Sequence, residues 1–137
     1  EYRVERGAAV DTLEAAAGLG RVEDVKRLVG AADAVARPKA LALGVLSREV
    51  EAVRVLLDAG EDVNRFHPEG FHAHATPLHQ AALAGDLEMM KLLVVRGARM
   101  DVEDGIYKST PLGWAEWGGK KEAAEWLRRG GVSCLGL

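Results

Sequence analysis

The four histidines of the chain are concentrated in one short segment, between positions 67 and 79. His72 and His74 are two residues apart, so their side chains point the same way if the segment is extended. His67 could approach them from across a hairpin, and Glu69 could add an oxygen. Three imidazole nitrogens and one carboxylate oxygen form a donor set that suits Zn²⁺. This spacing makes His67, His72 and His74 the candidate metal ligands of the sequence.

A structural role explains the same histidines without a metal. The segment also contains Phe66 and Phe71, and His67 and His72 can cap or pack a loop tip together with these rings. We favour this interpretation, so we expect no metal site and no cofactor.

Other residue patterns give little support for catalysis. The sequence contains no P-loop, no G-x-S-x-G elbow and no H-E-x-x-H motif. Its one cysteine, Cys134, follows a Gly-rich stretch and has no histidine near it in sequence. Acidic residues recur at predicted loop tips, where we expect a solvated edge; they are Glu61, Asp62, Asp101, Glu103 and Asp104. We therefore predict that the protein is not an enzyme.

Composition narrows the class of protein. Apolar residues make up 48% of the 137 positions and charged residues 28%, which indicates a soluble globular protein of one domain. A net charge of −3 disfavours nucleic-acid binding. No apolar run approaches the roughly 18–20 residues that cross a bilayer, so we expect no membrane partner. A single cysteine allows no internal disulfide and favours a reducing, cytoplasmic setting.

An internal repeat organises the chain. The segment TPLHQAA at 76–82 matches TPLGWA at 110–115, an offset of 34 residues. The glycines at 85 and 97 recur at 119 and 131 with the same offset. Weaker copies can be traced upstream. We predict four repeats that start near residues 11, 39, 76 and 110.

Each copy contains the residues of a helix–turn–helix unit. Thr76 can accept hydrogen bonds at a helix N-terminus, and Pro77 suits the first helical position. Gly85 can supply a left-handed turn, whereas Arg48 stands at that position in the second copy. The second helix carries a one-sided apolar stripe, formed by Met89, Met90, Leu93 and Val94.

The T-P-L-H-x-A-A opening, the mid-repeat glycine and the closing Leu-Val-x-x-Gly-Ala resemble ankyrin repeats over residues 11–131. The resemblance implies an all-α fold, an ankyrin-repeat solenoid of helix–turn–helix units with hairpin-like connecting loops. We expect residues 1–137 to form a single ankyrin-repeat domain, with residues 1–10 and 132–137 as terminal extensions. The resemblance also implies that His79 hydrogen-bonds to Thr76 and to neighbouring backbone.

Charged residues replace apolar ones at the two ends of the array. At three aligned positions the middle copies are apolar, whereas Asp24 stands in the first copy and Glu116 and Arg128 stand in the fourth. Terminal repeats need a polar outer face. We therefore expect all three side chains to face solvent.

The resemblance implies a concave surface of inner helices and loop tips that binds a protein. Exposed tryptophan and tyrosine are common binding hot spots. Aligning the copies places seven candidate partner-binding residues on this surface: Leu46, Leu83 and Trp117 from the inner helices, and Phe71, His72, Ile106 and Tyr107 from the loops. Packing of Trp117 and Tyr107 against neighbouring loops is the alternative.

These observations predict a non-catalytic protein–protein interaction module that is a monomer. Two alternatives stay open. The chain begins at Glu1 rather than at a methionine, so it could be the recognition module of a larger multidomain protein or enzyme. The His-rich loop at residues 66–74 could instead bind a metal or a small ligand.

Overall fold

The computed structural model describes residues 12–32, 36–68 and 73–131, and every regular element in these ranges is an α-helix. The all-α class expected from the sequence is confirmed. None of the helices in the described ranges is long and apolar enough to cross a membrane. The helices are α1 (Leu13–Leu19), α2 (Val22–Val29), α3 (Ala36–Leu46), α4 (Val50–Asp58), α5 (Pro77–Ala84), α6 (Leu87–Val95), α7 (Pro111–Trp117) and α8 (Lys121–Arg128).

The described residues up to position 61 form one compact unit, which contains α1 to α4. Within it, α1 pairs with α2 and α3 pairs with α4, and the two pairs pack on each other through α1–α3 and α2–α4. Small and branched side chains fill the interior, because short alanine side chains let the helices approach closely. The fully buried residues include Ala16, Ala17, Val25, Ala40, Val53 and Leu56.

The described residues from position 62 onward form a second compact unit, which contains α5 to α8. Here α5 contacts both α6 and α7, and α7 contacts α8. The apolar stripe predicted on α6 is confirmed, since Met89, Met90 and Leu93 are fully buried and Val94 is half-buried. Trp126 of α8 is also buried.

Threonine side chains mark the starts of three inner helices. Thr12, Thr76 and Thr110 each accept a hydrogen bond from the backbone N–H three residues later. The second copy differs, because α3 begins at Ala36, three residues before the start predicted near 39. Pro38 is accommodated there since amides in the first helical turn have no intrahelical partner to lose.

The turn between paired helices adopts the left-handed conformation in each copy. The φ angles are +72° at Gly20, +62° at Arg48, +71° at Gly85 and +72° at Gly119. Glycine adopts this conformation without penalty, whereas a β-carbon makes it unfavourable. The geometry of the helix pair therefore overrides the backbone preference of Arg48.

The charged residues expected to face solvent behave differently at the two ends. Glu116 and Arg128 are exposed, as expected, and form an ion pair with an N–O distance of 2.8 Å. The expectation for Asp24 is wrong, because this residue is only 9% exposed. Its carboxylate pairs with Arg21 at 3.3 Å and Arg27 at 3.1 Å. Two arginines one helical turn away compensate for the water that Asp24 loses.

We expect Arg48→Gly to raise the free energy of unfolding by about 0.5–1 kcal/mol, because it removes the β-carbon from a left-handed position. Gly119→Ala is the reverse change. Its added methyl group meets nothing within 4 Å, so we expect the free energy of unfolding to fall by about 1 kcal/mol through backbone strain alone. Urea denaturation measures both variants. A less stable Arg48→Gly protein would contradict this account of the turn.

Candidate functional site

The second unit contains two hairpin-like loops. In the first, the His67 backbone N–H donates to the Ala75 carbonyl at 2.9 Å. In the second, the Asp104 backbone N–H donates to the Ser109 carbonyl at 2.9 Å. The second closure confirms the hairpin-like connection expected between the two helix pairs of this unit.

The side chain of Asp104 organises the second loop from within. It is fully buried. Its Oδ2 atom accepts hydrogen bonds from the backbone N–H groups of Ile106 at 3.0 Å and Tyr107 at 2.6 Å. Its Oδ1 atom accepts from the Ser109 N–H at 2.8 Å and from Trp114 Nε1 at 3.1 Å. Four donors thus fix the loop tip and connect it to α7.

Asp104 stays ionised although it is buried. Burial alone raises the pKa of a carboxyl, but the three backbone N–H groups and the Trp114 indole outweigh this effect and hold the pKa of Asp104 well below its ordinary value. The expectation that Asp104 belongs to a solvated acidic edge is therefore wrong. Its neighbours Asp101 and Glu103 are exposed, as expected.

His79 connects α5 to the second loop. Its ring is fully buried, and Nδ1 lies 2.8 Å from Thr76 Oγ1 and accepts the Thr76 N–H at 3.2 Å. Nε2 donates to the Ser109 carbonyl at 2.9 Å. Burial lowers the pKa of His79, and the bond to Ser109 opposes this only in part, so the imidazole is neutral. The role expected for this histidine from the family resemblance is confirmed.

A groove of about 410 Å³ lies between the second loop and the inner helices α5 and α7. Its volume falls within the usual range for small-ligand sites. The lining is mostly apolar and includes four ring-bearing side chains; the residues are His74, Leu83, Tyr107, Ser109, Gly113, Trp114 and Trp117. The His74 ring centroid lies 5.5 Å from that of Trp114 and 5.9 Å from that of Tyr107. These contacts join His74, Tyr107 and Trp114 in one aromatic cluster at the groove.

Three of the predicted binding residues meet in this groove. Leu83 of α5, Trp117 of α7 and Tyr107 of the second loop all line it. Trp117 is 84% exposed and Tyr107 is 72% exposed. Such exposure favours a surface role over the packing alternative. Ile106 is 61% exposed and adjoins Tyr107 in the same loop, but it does not line the groove.

Three predicted binding residues remain. Leu46 ends α3 in the first unit and is 42% exposed. Phe71 and His72 fall outside the described residues.

Sequence reasoning did not identify Gly113 as part of the groove. Gly113 stands in the fourth copy where His79 stands in the third. A β-carbon at Gly113 would collide with the Ser109 hydroxyl oxygen. The absent side chain admits this hydroxyl and keeps space beside Trp114 and Trp117. The replacement of the motif histidine by glycine is the signal in the sequence that could have revealed the groove.

The candidate metal ligands are only partly within the described chain. His67 is 4% exposed, whereas His74 lines the groove and its Nδ1 atom lies 3.3 Å from Asp104 Oδ2. Within residues 12–32, 36–68 and 73–131, no three His, Cys, Asp or Glu side chains are grouped so that they could hold a metal ion. His72 and Glu69 lie outside these ranges.

We expect Asp104→Ala to lower the free energy of unfolding by about 3 kcal/mol, because it leaves the buried Trp114 indole N–H and three part-buried backbone N–H groups without their acceptor. Urea denaturation measures the change. Asp101→Ala removes an exposed carboxylate from the same segment, so it should lower the free energy of unfolding far less than Asp104→Ala does. Equal losses in the two variants would contradict the role assigned to Asp104.

We expect His79 to make the protein less stable on mild acidification. Because folding lowers the pKa of His79, the unfolded chain binds its proton more readily. The free energy of unfolding should therefore fall as the pH drops below about 6.5, the ordinary pKa. Urea midpoints between about pH 7.5 and 5 measure this slope. The slope should be shallower in His79→Gln, and an identical slope would show that other groups cause it.

The chain matches a known family and several curated proteins. A family model described as ankyrin repeats (3 copies) matches residues 45–134. The chain is 36% identical to Protein PhlB of Serratia liquefaciens over 78 residues, which is 57% of this chain and 33% of that protein. It is 39% identical to the ARF GTPase-activating protein GIT1 of Homo sapiens over 89 residues, 65% of this chain and 11% of that protein.

A plant protein shows a similar likeness. The serine/threonine-protein kinase VIK of Arabidopsis thaliana is 37% identical over 86 residues, 62% of this chain and 19% of the kinase. The chain therefore spans about a third or less of the curated relatives it matches. The matching family model covers more than half of the chain, and the described helices pair as the repeat pattern predicts. This chain belongs to the ankyrin-repeat family.

Proposed function

We propose that the chain is a non-catalytic protein-interaction module that binds a protein through its inner helices and loop tips, the concave face in this family. The observation that carries the proposal is the exposure of Trp117 and Tyr107 along one groove. Ankyrin repeats are generally protein-interaction modules rather than enzymes. Clustered, exposed aromatic side chains are typical of binding surfaces.

The support beneath the groove favours binding. Asp104 fixes the backbone of Tyr107 and the indole of Trp114, and His79 holds the Ser109 carbonyl. A surface held in place by buried hydrogen bonds loses less conformational entropy when a partner docks. The backbone that carries the exposed rings is therefore held in place before a partner binds.

Aliphatic residues extend the proposed surface beyond the rings. Leu83 lines the groove, and Ile106 is exposed next to Tyr107. Tryptophan and tyrosine offer large contact areas with few rotatable bonds, so they are the expected centre of the binding energy. We propose that Leu46, Phe71 and His72 also take part in binding the partner.

The lengths of the relatives favour a second candidate function. The matched repeats make up 11% of the GTPase-activating protein and 19% of the kinase. A recognition module within a larger multidomain protein or enzyme is the alternative that these proportions support. In either setting, we propose that the repeats contribute binding and not catalysis.

The net charge and the cysteine content of the chain bear on the kind of partner and on the cellular setting. A net charge of −3 disfavours nucleic acid as the partner. A single cysteine favours a reducing, cytoplasmic setting. We propose that the module acts as a monomer there.

We expect Trp117→Ala to abolish capture of the partner from a host lysate while changing the free energy of unfolding by less than about 1 kcal/mol, because the side chain is 84% exposed. Quantitative affinity capture measures binding, and urea denaturation measures stability. A large loss of stability would instead favour the packing alternative.

Val95→Ala provides the matched control. Val95 ends α6 and is 80% exposed, so the change also removes exposed apolar area, but away from the groove. Capture should be retained in this variant. Equal capture by both variants, or loss in Val95→Ala alone, would place the binding surface elsewhere.

A further inference from the structure

The ring cluster of the groove suits a positively charged occupant. Tyr107, Trp114 and Trp117 line the groove together with His74. The face of an aromatic ring carries negative partial charge, and it attracts a guanidinium or ammonium group within about 6 Å. An aliphatic occupant would gain contact area here, but it would make no use of this field.

A buried negative charge strengthens the same preference. The Asp104 carboxylate accepts the Trp114 Nε1–H at 3.1 Å and lies 3.3 Å from His74 Nδ1. Donation to an anion polarises the indole and makes its ring richer in electrons. Within the described part of the chain, Asp104 pairs with no lysine or arginine. Its described hydrogen-bond donors include three backbone N–H groups and the Trp114 indole N–H.

Two charged residues adjoin the exposed rings in sequence. Lys108 follows Tyr107 and is exposed, so solvent and salt screen its repulsion of a cation. Glu116 precedes Trp117 and pairs with Arg128 at 2.8 Å. Neither Lys108 nor Glu116 reverses the preference for a positively charged occupant that the rings and Asp104 produce.

We propose that the groove receives an arginine or lysine side chain of the partner protein, held against Tyr107 and Trp117 by cation–π contact. The proposal rests on the protein-binding function argued above and adds the chemistry of the side chain that is recognised. The aliphatic stem of such a side chain would contact Leu83, and its charged end would meet the rings.

The experiment is an NMR titration of the whole chain with blocked tripeptides. The probe is acetyl-Gly-Arg-Gly-amide, the neutral isostere carries citrulline, and the apolar control carries norleucine. We expect the indole N–H signals of Trp114 and Trp117 to shift while that of Trp126, which is buried in α8, does not. The arginine peptide should bind at least about threefold more tightly than the citrulline peptide.

Two variants separate charge from contact area. Tyr107→Leu removes a ring but retains apolar bulk and the backbone N–H bonded to Asp104, so it should lose the preference for arginine. Lys108→Asn removes a neighbouring cation, and asparagine tolerates the left-handed φ of +55° at this position. This variant should bind the arginine peptide more tightly than the parent chain does.

Three results would overturn the proposal. They are equal affinity for arginine and citrulline, tighter binding of norleucine, and absence of shifts with every peptide. After any of these three results, the proposed protein-binding function is retained if the Trp117→Ala variant fails to capture the partner and the Val95→Ala variant still captures it. Arginine selectivity without that loss of capture would instead reject the proposed function.

Discussion

The buried carboxylate of Asp104 is the interaction on which the second loop and the groove depend. Backbone N–H groups at the tip of a short loop cannot pair with one another, and an unpaired buried donor is costly. One ionised side chain solves this problem by accepting three of them and an indole N–H as well. The position of Tyr107 and the orientation of Trp114 are both consequences of that single charge.

Other hydrogen bonds connect each loop of the second unit to a segment about thirty residues away in the sequence. His79 donates to the Ser109 carbonyl, and Gly105 donates to the His74 carbonyl at 2.8 Å. Asn64 donates to the Gly97 carbonyl at 3.0 Å and accepts the Arg99 N–H at 2.8 Å. The contacts join backbone to backbone or side chain to backbone, so they hold successive repeats together while exposed side chains are free to vary. This separation allows one frame to present many binding surfaces.

Local rules predicted the helices, because caps, turns and apolar stripes are encoded within a few residues. The role of His79 followed instead from the resemblance to ankyrin repeats. Exposure of the acidic residues was harder to predict. The ion pairs of Asp24 could have been predicted from the sequence, because one arginine stands three residues before it and another stands three residues after it. The burial of Asp104 could not have been predicted in this way, because it depends on hydrogen-bond donors that come together only when the loop closes. Three residues of the groove, Leu83, Tyr107 and Trp117, were predicted, whereas the part of Gly113 was not, because it depends on a side chain that is absent.

Gly113 also sets a limit on lengthening the array by protein engineering. His79 in the third helix pair holds the loop that leads into the fourth, and Gly113 provides no such donor for a repeat added after residue 131. Restoring the imidazole would require Ser109 to rotate away, because a β-carbon at Gly113 collides with its hydroxyl. The new ring would also occupy the space that Gly113 now leaves to the groove. This position can hold a further repeat or accommodate a ligand, but it cannot do both.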